Sequence, residues 1–143
     1  MSDSIFAKIV RGELPSCKVW EDEDLLVILD IEPVNKGHAL ILTKQPYADA
    51  RDVPDAILGK ILPLARDIGV ILCREFGYSG FNIHQSNGPD AGQDVIHYHL
   101  HVWPRCSKEE LRFVFKEEVT YKSGEIAEVA DRIERALRDR LSP

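Results

Sequence analysis

A chain of 143 residues with 44% apolar and 29% charged side chains has enough material for one hydrophobic core and no linker or low-complexity tract. Its formal charge of -6 argues against a broad nucleic-acid-binding surface. No apolar run approaches the ~18 residues a membrane span needs, the first four residues make no leader, and Cys17, Cys73 and Cys106 lack metal-type spacing, so the expected setting is a reducing cytoplasm.

The chain opens with a predicted short helix, capped by Asp3 or Ser4, with Ile5, Phe6, Ile9 and Val10 on its apolar face and Gly12 and Pro15 ending it. Residues 17–20 and 25–29 read as a hairpin around an acidic turn, and residues 38–43 as a third strand. Residues 54–76 carry Ile57, Ile61, Leu64, Ile68, Ile71 and Leu72 at helical spacing, with Pro54 in the first turn and Gly77 at the stop. Pro63 is expected to kink or divide that helix. Residues 79–85 and 96–103 read as two more strands, so the fold class is α+β: a mostly antiparallel five-stranded sheet with one long helix. After Arg105, residues 109–119 show no clear period, whereas Ser123 is placed to cap a last helix with Ile126, Val129, Ala130, Ile133, Leu137 and Leu141 on one side. Glu134 and Arg138 then sit on its solvated side at i,i+4.

The stretch from His97 to Trp103 carries the chemistry. Strand alternation places His97, His99, His101 and Trp103 on one face and Tyr98, Leu100 and Val102 on the other. Histidine titrates nearest neutrality, so such a row can supply a nucleophile, a proton donor and an acceptor together. Metal binding is the competing reading, and satisfied packing the third. The loop over residues 86–94, Ser-Asn-Gly-Pro-Asp-Ala-Gly-Gln-Asp, leads into the histidines, and its glycines allow backbone N–H groups to approach an anion, most naturally phosphate.

The His-x-His-x-His run, preceded by Ala91-Gly92-Gln93, resembles the motif of the histidine triad nucleotide hydrolases and transferases. The resemblance extends in order from about residue 4 to 105: residues 4–15 resemble the family's first helix and turn, Asp30-Ile31-Glu32-Pro33 its nucleoside segment, Asn35-Lys36-Gly37-His38 the loop with a fourth histidine, and residues 81–83 the strand before the phosphate loop. It implies one domain of histidine-triad fold with a core over about residues 4–105; the resemblance thins after Arg105, and the extension over 106–143 is read from its own pattern as ending in a helix that docks on the domain or a partner. The resemblance implies that His99 attacks the α-phosphorus of a nucleoside 5′-monophosphate, AMP by preference, joined to a leaving group. It further implies that His101 contacts phosphate oxygens or the leaving group and that His97 and His38 hold rings in the right tautomer. The nucleoside would lie against Phe6, Ile9, Ile28 and Ile31, with Asp30 accepting from the ribose hydroxyls and Ser86, Gly92, Gln93 and Asp94 near the phosphate. A homodimer follows from the resemblance, with no cofactor and no metal.

The chain departs from the family pattern at Ser86, where Asn is common, and at Asp94, where a hydroxyl follows the Gln in many members; Asp94 is expected to turn away from the phosphate toward a histidine N–H or a backbone donor. Ser4, Ala7 and Pro46 stand where several bacterial relatives place ligands of a structural zinc. His84 has no counterpart and is read as a strand residue with a satisfied ring. The alternative to an enzyme is a nucleotide-binding adaptor or sensor, but a binding module has no need of His99.

Overall fold

The computed structural model describes residues 3–111 and 119–143. The chain divides into two compact units, Met1–Leu111 and Arg112–Pro143. In the first, helix α1 (Ile5–Val10) is followed by strands β1 (Lys18–Glu21), β2 (Leu25–Leu29) and β3 (Ala39–Thr43), helix α2 (Asp55–Phe76), and strands β4 (Gly80–Gln85) and β5 (His99–Arg105). The five strands form one antiparallel sheet in the order β1-β2-β3-β5-β4.

The two faces of the sheet have different tasks, and strand alternation divides them. On one face Leu25, Val27, Ala39, Ile41, Leu100 and Val102 pack with Ile61, Ala65 and Leu72 of α2 into the main core. The other face carries Leu26, Ile28, Leu40 and Leu42, covered by Ile9, Phe6 and Val10 of α1, and then continues into the histidines of β5. Ser4 caps α1 by accepting from the Ala7 N–H, and the Asp22 carboxylate closes the β1–β2 turn by accepting from the Asp24 and Leu25 N–H groups. Lys60 of α2 pairs with Asp22 and Asp24, tying the long helix to that turn.

The structure corrects several expectations. Pro54 is the N-cap of α2, not a first-turn residue, and Pro63 does not divide the helix, which runs unbroken over 22 residues. The carbonyl that Pro63 leaves without a donor belongs to Gly59, four residues earlier, and both residues are on the solvent side, where water can serve it. Strand β5 begins at His99 and runs through Pro104 to Arg105, so His97 lies in the bend before it and not in the alternating row. Ile5 is exposed despite its place in the apolar pattern of α1. The last helix, α3 (Glu125–Leu141), takes Gly124 as N-cap in the left-handed region (φ 78°), so Ser123 does not cap it. Ile126, Ile133, Leu137 and Leu141 are exposed along α3, and Arg138 pairs with Glu134 at 2.7 Å on a solvated side. Most of the aperiodic stretch 109–119 lies outside the described residues.

Two glycines of α2 are expected to respond oppositely to alanine. A Cβ on Gly69 would fall 2.4 Å from the Phe81 ring, whereas one on Gly59 meets nothing within 4 Å. Gly69→Ala should therefore destabilise the protein by about 1–3 kcal/mol through overpacking, and Gly59→Ala should stabilise it by about 0.5–1 kcal/mol through helix propensity, both read by urea denaturation.

Candidate active site

Cross-strand register builds the site in rows. His101 faces Leu40 on one side and His84 on the other, His99 faces Leu42, and Ile28 faces Leu40, so apolar strand residues grade directly into imidazoles. A cleft of about 410 Å³ opens there, lined on its apolar side by Phe6, Ile9, Leu14, Ile28 and Leu40, and at its polar end by Asp30, Asp94, His99 and His101. Ile31 also lines it and is 92% exposed, so it belongs to the rim and not to the core.

The hydrogen bonds assign protons to individual ring nitrogens. His97 is completely buried; a carbonyl can only accept, so its Nε2–H donates to Thr43 O at 2.6 Å, leaving Nδ1 to accept from the Ser4 hydroxyl at 3.2 Å. His99 Nδ1–H donates to the His97 carbonyl at 2.7 Å, which leaves the lone pair on His99 Nε2. The Phe6 ring stands edge-on to His99 with centroids 4.9 Å apart and limits its tilt. The Val34 N–H donates to His38 Nδ1, so the His38 proton is on Nε2, 2.9 Å from His101 Nδ1. His101 then carries its own proton on Nε2, the nitrogen left for the cleft. The Trp103 indole N–H also lies 3.0 Å from His38 Nε2, and it can bond there only when that nitrogen gives up its proton.

Burial favours the neutral form of three rings, His97, His38 and His101. It holds His97 and His38 below the usual histidine range, and it pushes His101 down to about 4, with neighbouring His99, His38 and His84 adding to the effect. The Asp30 carboxylate opposes the shift at both His38 and His101. Asp30 Oδ2 lies 3.5 Å from His38 Nε2, while Oδ1 accepts from the Glu32 N–H at 2.8 Å. Asp30, His38 and His101 offer ligand atoms within 4.8 Å of one another and are the described residues best placed to hold a cation. An ion there would have to displace the His38–His101 hydrogen bond and move the His38 proton onto Nδ1, against the Val34 N–H.

Not every residue singled out from sequence reaches the cleft. Gln93 is buried as a brace, with Oε1 accepting from Gly88 N and Nε2 donating to Ala48 O. The N–H groups of Ala91, Gly92 and Gln93 close the loop on itself, bonding to Gly88 O and Pro89 O, so the loop donors expected to face phosphate are committed internally. Ser86 bonds to His84 and is not among the lining residues. Asp94 meets a backbone donor as expected, accepting from Val95 N, yet it stays at the cleft: Oδ1 lies 3.8 Å from His99 Nε2. His84 stacks on Trp103 with rings 4.5 Å apart, beside the site and not within it. Sequence reasoning missed Leu40, Thr43 and Val34 as supports. Leu40 was recoverable from the pairing of the third and fifth strands; the other two act through backbone groups, which leave no residue-type signal.

A model of the HIT domain family matches residues 11–108. A HIT-like protein of Methanocaldococcus jannaschii is 42% identical over 71% of this chain and 78% of its own length. The adenosine 5′-monophosphoramidase hnt1 of Schizosaccharomyces pombe is 37% identical over 73% of the chain and 76% of its own. The crystal structure of a HIT-family member from Bacillus subtilis superposes with a TM-score of 0.83 at 33% identity, covering 99% of both chains. The chain belongs to the histidine triad (HIT) family, and its five-stranded antiparallel sheet with helices is the fold of that family's solved structures.

The lowered histidine values carry a sign. A ring neutral when folded but titrating near 6.5 when unfolded leaves the unfolded chain binding more protons between about 4 and 6.5, so stability falls as pH drops through that window. The melting temperature should be level above about pH 7 and decline steeply toward pH 4. His101→Gln should flatten that decline, as followed by thermal denaturation across pH.

Proposed function

We propose that the protein is a nucleotidyl hydrolase or transferase that cleaves a nucleoside 5′-monophosphate, AMP by preference, from its leaving group through a nucleotidyl intermediate on His99. The single observation that carries this reading is the Nδ1–H bond from His99 to the His97 carbonyl, which leaves Nε2 as the ring nitrogen presented at the polar end of an apolar cleft. In the first step a bond forms between Nε2 and the α-phosphorus while the bond to the leaving group breaks, and the leaving group departs with the bonding pair and a proton from solvent. Water then attacks the same phosphorus and releases His99. His101 Nε2–H serves as a donor to the phosphoryl oxygens, with its tautomer held by His38. The base packs against Phe6, Ile9, Ile28 and Leu40, and Asp30 Oδ2 accepts from the ribose hydroxyls. The name of the S. pombe relative, a monophosphoramidase, supports a phosphoramidate as the first substrate to try.

The expected result is turnover of adenosine 5′-phosphoramidate by the wild type. His99→Ala should lose at least about 10³-fold in kcat while AMP still binds, because a missing nucleophile leaves no covalent route. Near-normal turnover in that variant would end the covalent mechanism.

We also propose a homodimer. Strand β4 is an edge of the sheet with Ile83 exposed on it, and α2 exposes Leu62, Val70, Ile71 and Phe76, so a second copy would cover both an open ladder and apolar surface. Sedimentation at micromolar concentration should give twice the 16.2 kDa chain mass; monomer alone would contradict the dimer.

A further inference from the structure

The sign of the charge around the cleft narrows the leaving group. Two cavities meet at Asp94: the nucleoside cleft, and a second space of about 410 Å³ lined by Ser4, Ile5, Pro46, Ala48, Val95 and Ile96. Among the described residues lining the two there is no lysine or arginine, whereas Asp30, Glu32 and Asp94 are all present. Of the cleft's own histidines, His101 adds no charge to offset them, because burial and the neighbouring rings hold it near 4. Of the three carboxylates, Asp30 is engaged by the Glu32 N–H and by His38. Asp94 is the one that faces the attacking nitrogen, at 3.8 Å, and its side chain is 85% exposed.

A phosphorus poised for attack stands about 3–3.5 Å from the nucleophile, so Asp94 Oδ1 lies within about 7 Å of it whatever the approach. That is inside the screening length at physiological ionic strength; the leaving atom sits opposite Nε2, one bond beyond the phosphorus, and a flexible tail on it can swing within reach of the carboxylate. A polyphosphate or carboxylate tail is repelled there; a cationic tail is attracted.

We infer that Asp94 is a specificity-determining residue that selects, among nucleoside 5′-phosphate derivatives, those whose leaving group is an amine bearing a second, positive charge, and that disfavours anionic leaving groups. The inference rests on the hydrolase reading above and adds the charge class of the leaving group to it. The step is unchanged: the P–N bond breaks, the His99 Nε2–P bond forms, and the amine leaves with the bonding pair and one proton from solvent. Asp94 reads the distal charge and takes no part in the bond exchange.

Two adenosine 5′-phosphoramidates, one of 1,4-diaminobutane and one of 4-aminobutanoate, present the same P–N bond with an ammonium or a carboxylate at the end of a similar tail. Wild-type kcat/KM should favour the ammonium tail by at least about tenfold at low salt, and the preference should shrink as salt is raised. In Asp94→Asn, whose amide oxygen can still accept from Val95 N–H, the ratio should collapse to within about twofold, with the carboxylate substrate gaining and the ammonium substrate losing. Opposite movements of two substrates on one protein are not what damage to the fold produces. Equal turnover of the two by the wild type, or a preference that survives in Asp94→Asn, would overturn this inference alone. Cleavage of neither would remove the enzymatic reading and this inference with it.

Discussion

The hydrogen bond from His99 Nδ1 to the His97 carbonyl is the interaction on which the rest of the site depends. An imidazole with its proton on Nε2 has no lone pair to offer at the cleft, and in water the two tautomers differ little. The protein decides between them by placing an acceptor that cannot donate 2.7 Å from Nδ1. The acceptor is held in turn, because the His97 ring is buried between the Thr43 carbonyl and the Ser4 hydroxyl, and Ser4 is the cap of α1. The first helix, the end of β3 and the bend before β5 are thereby joined at one ring, and Phe6 of the same helix meets His99 edge-on.

This arrangement also explains why the imidazoles tolerate burial. A buried polar group without a partner costs about 1–3 kcal/mol, and every buried side-chain nitrogen or oxygen among the described residues has a hydrogen-bonding atom within reach. His97, His38 and His101 meet the requirement by bonding to carbonyls, hydroxyls and each other, while burial lowers their proton affinity, opposed at His97 by the bond to Thr43 O. Neutral rings beside carboxylates make a site poor in fixed positive charge, and the selectivity inferred for Asp94 grows from that.

Much of this was legible in the sequence because period-two alternation is a strong signal when both faces are distinctive. Leu100 and Val102 do enter the core while His99 and His101 face the cleft, and β2 lies over the residues expected of it. Where alternation extends too far, tertiary contacts decide: the Tyr98 N–H bonds to Tyr47 O, the His97 ring turns in to Thr43 O, and the strand starts at His99, three residues later than the expected 96. The phosphate loop shows a related limit. Gly92 and Gln93 read as ligand contacts, but a glutamine serves equally well as a brace, and only the positions of Gly88 N and Ala48 O distinguish the two uses. Pro63 shows the same limit, since its effect on α2 depends on whether the carbonyl it frees faces water.

The tautomer of His99 can be measured directly by long-range ¹H–¹⁵N correlation spectroscopy of the ¹⁵N-labelled protein at neutral pH. The account requires a protonated Nδ1 and an unprotonated, pyridine-like Nε2 for His99, with His97 showing the reverse pattern. A His99 ring carrying its proton on Nε2, or exchanging between the two forms as a free imidazole does, would contradict it.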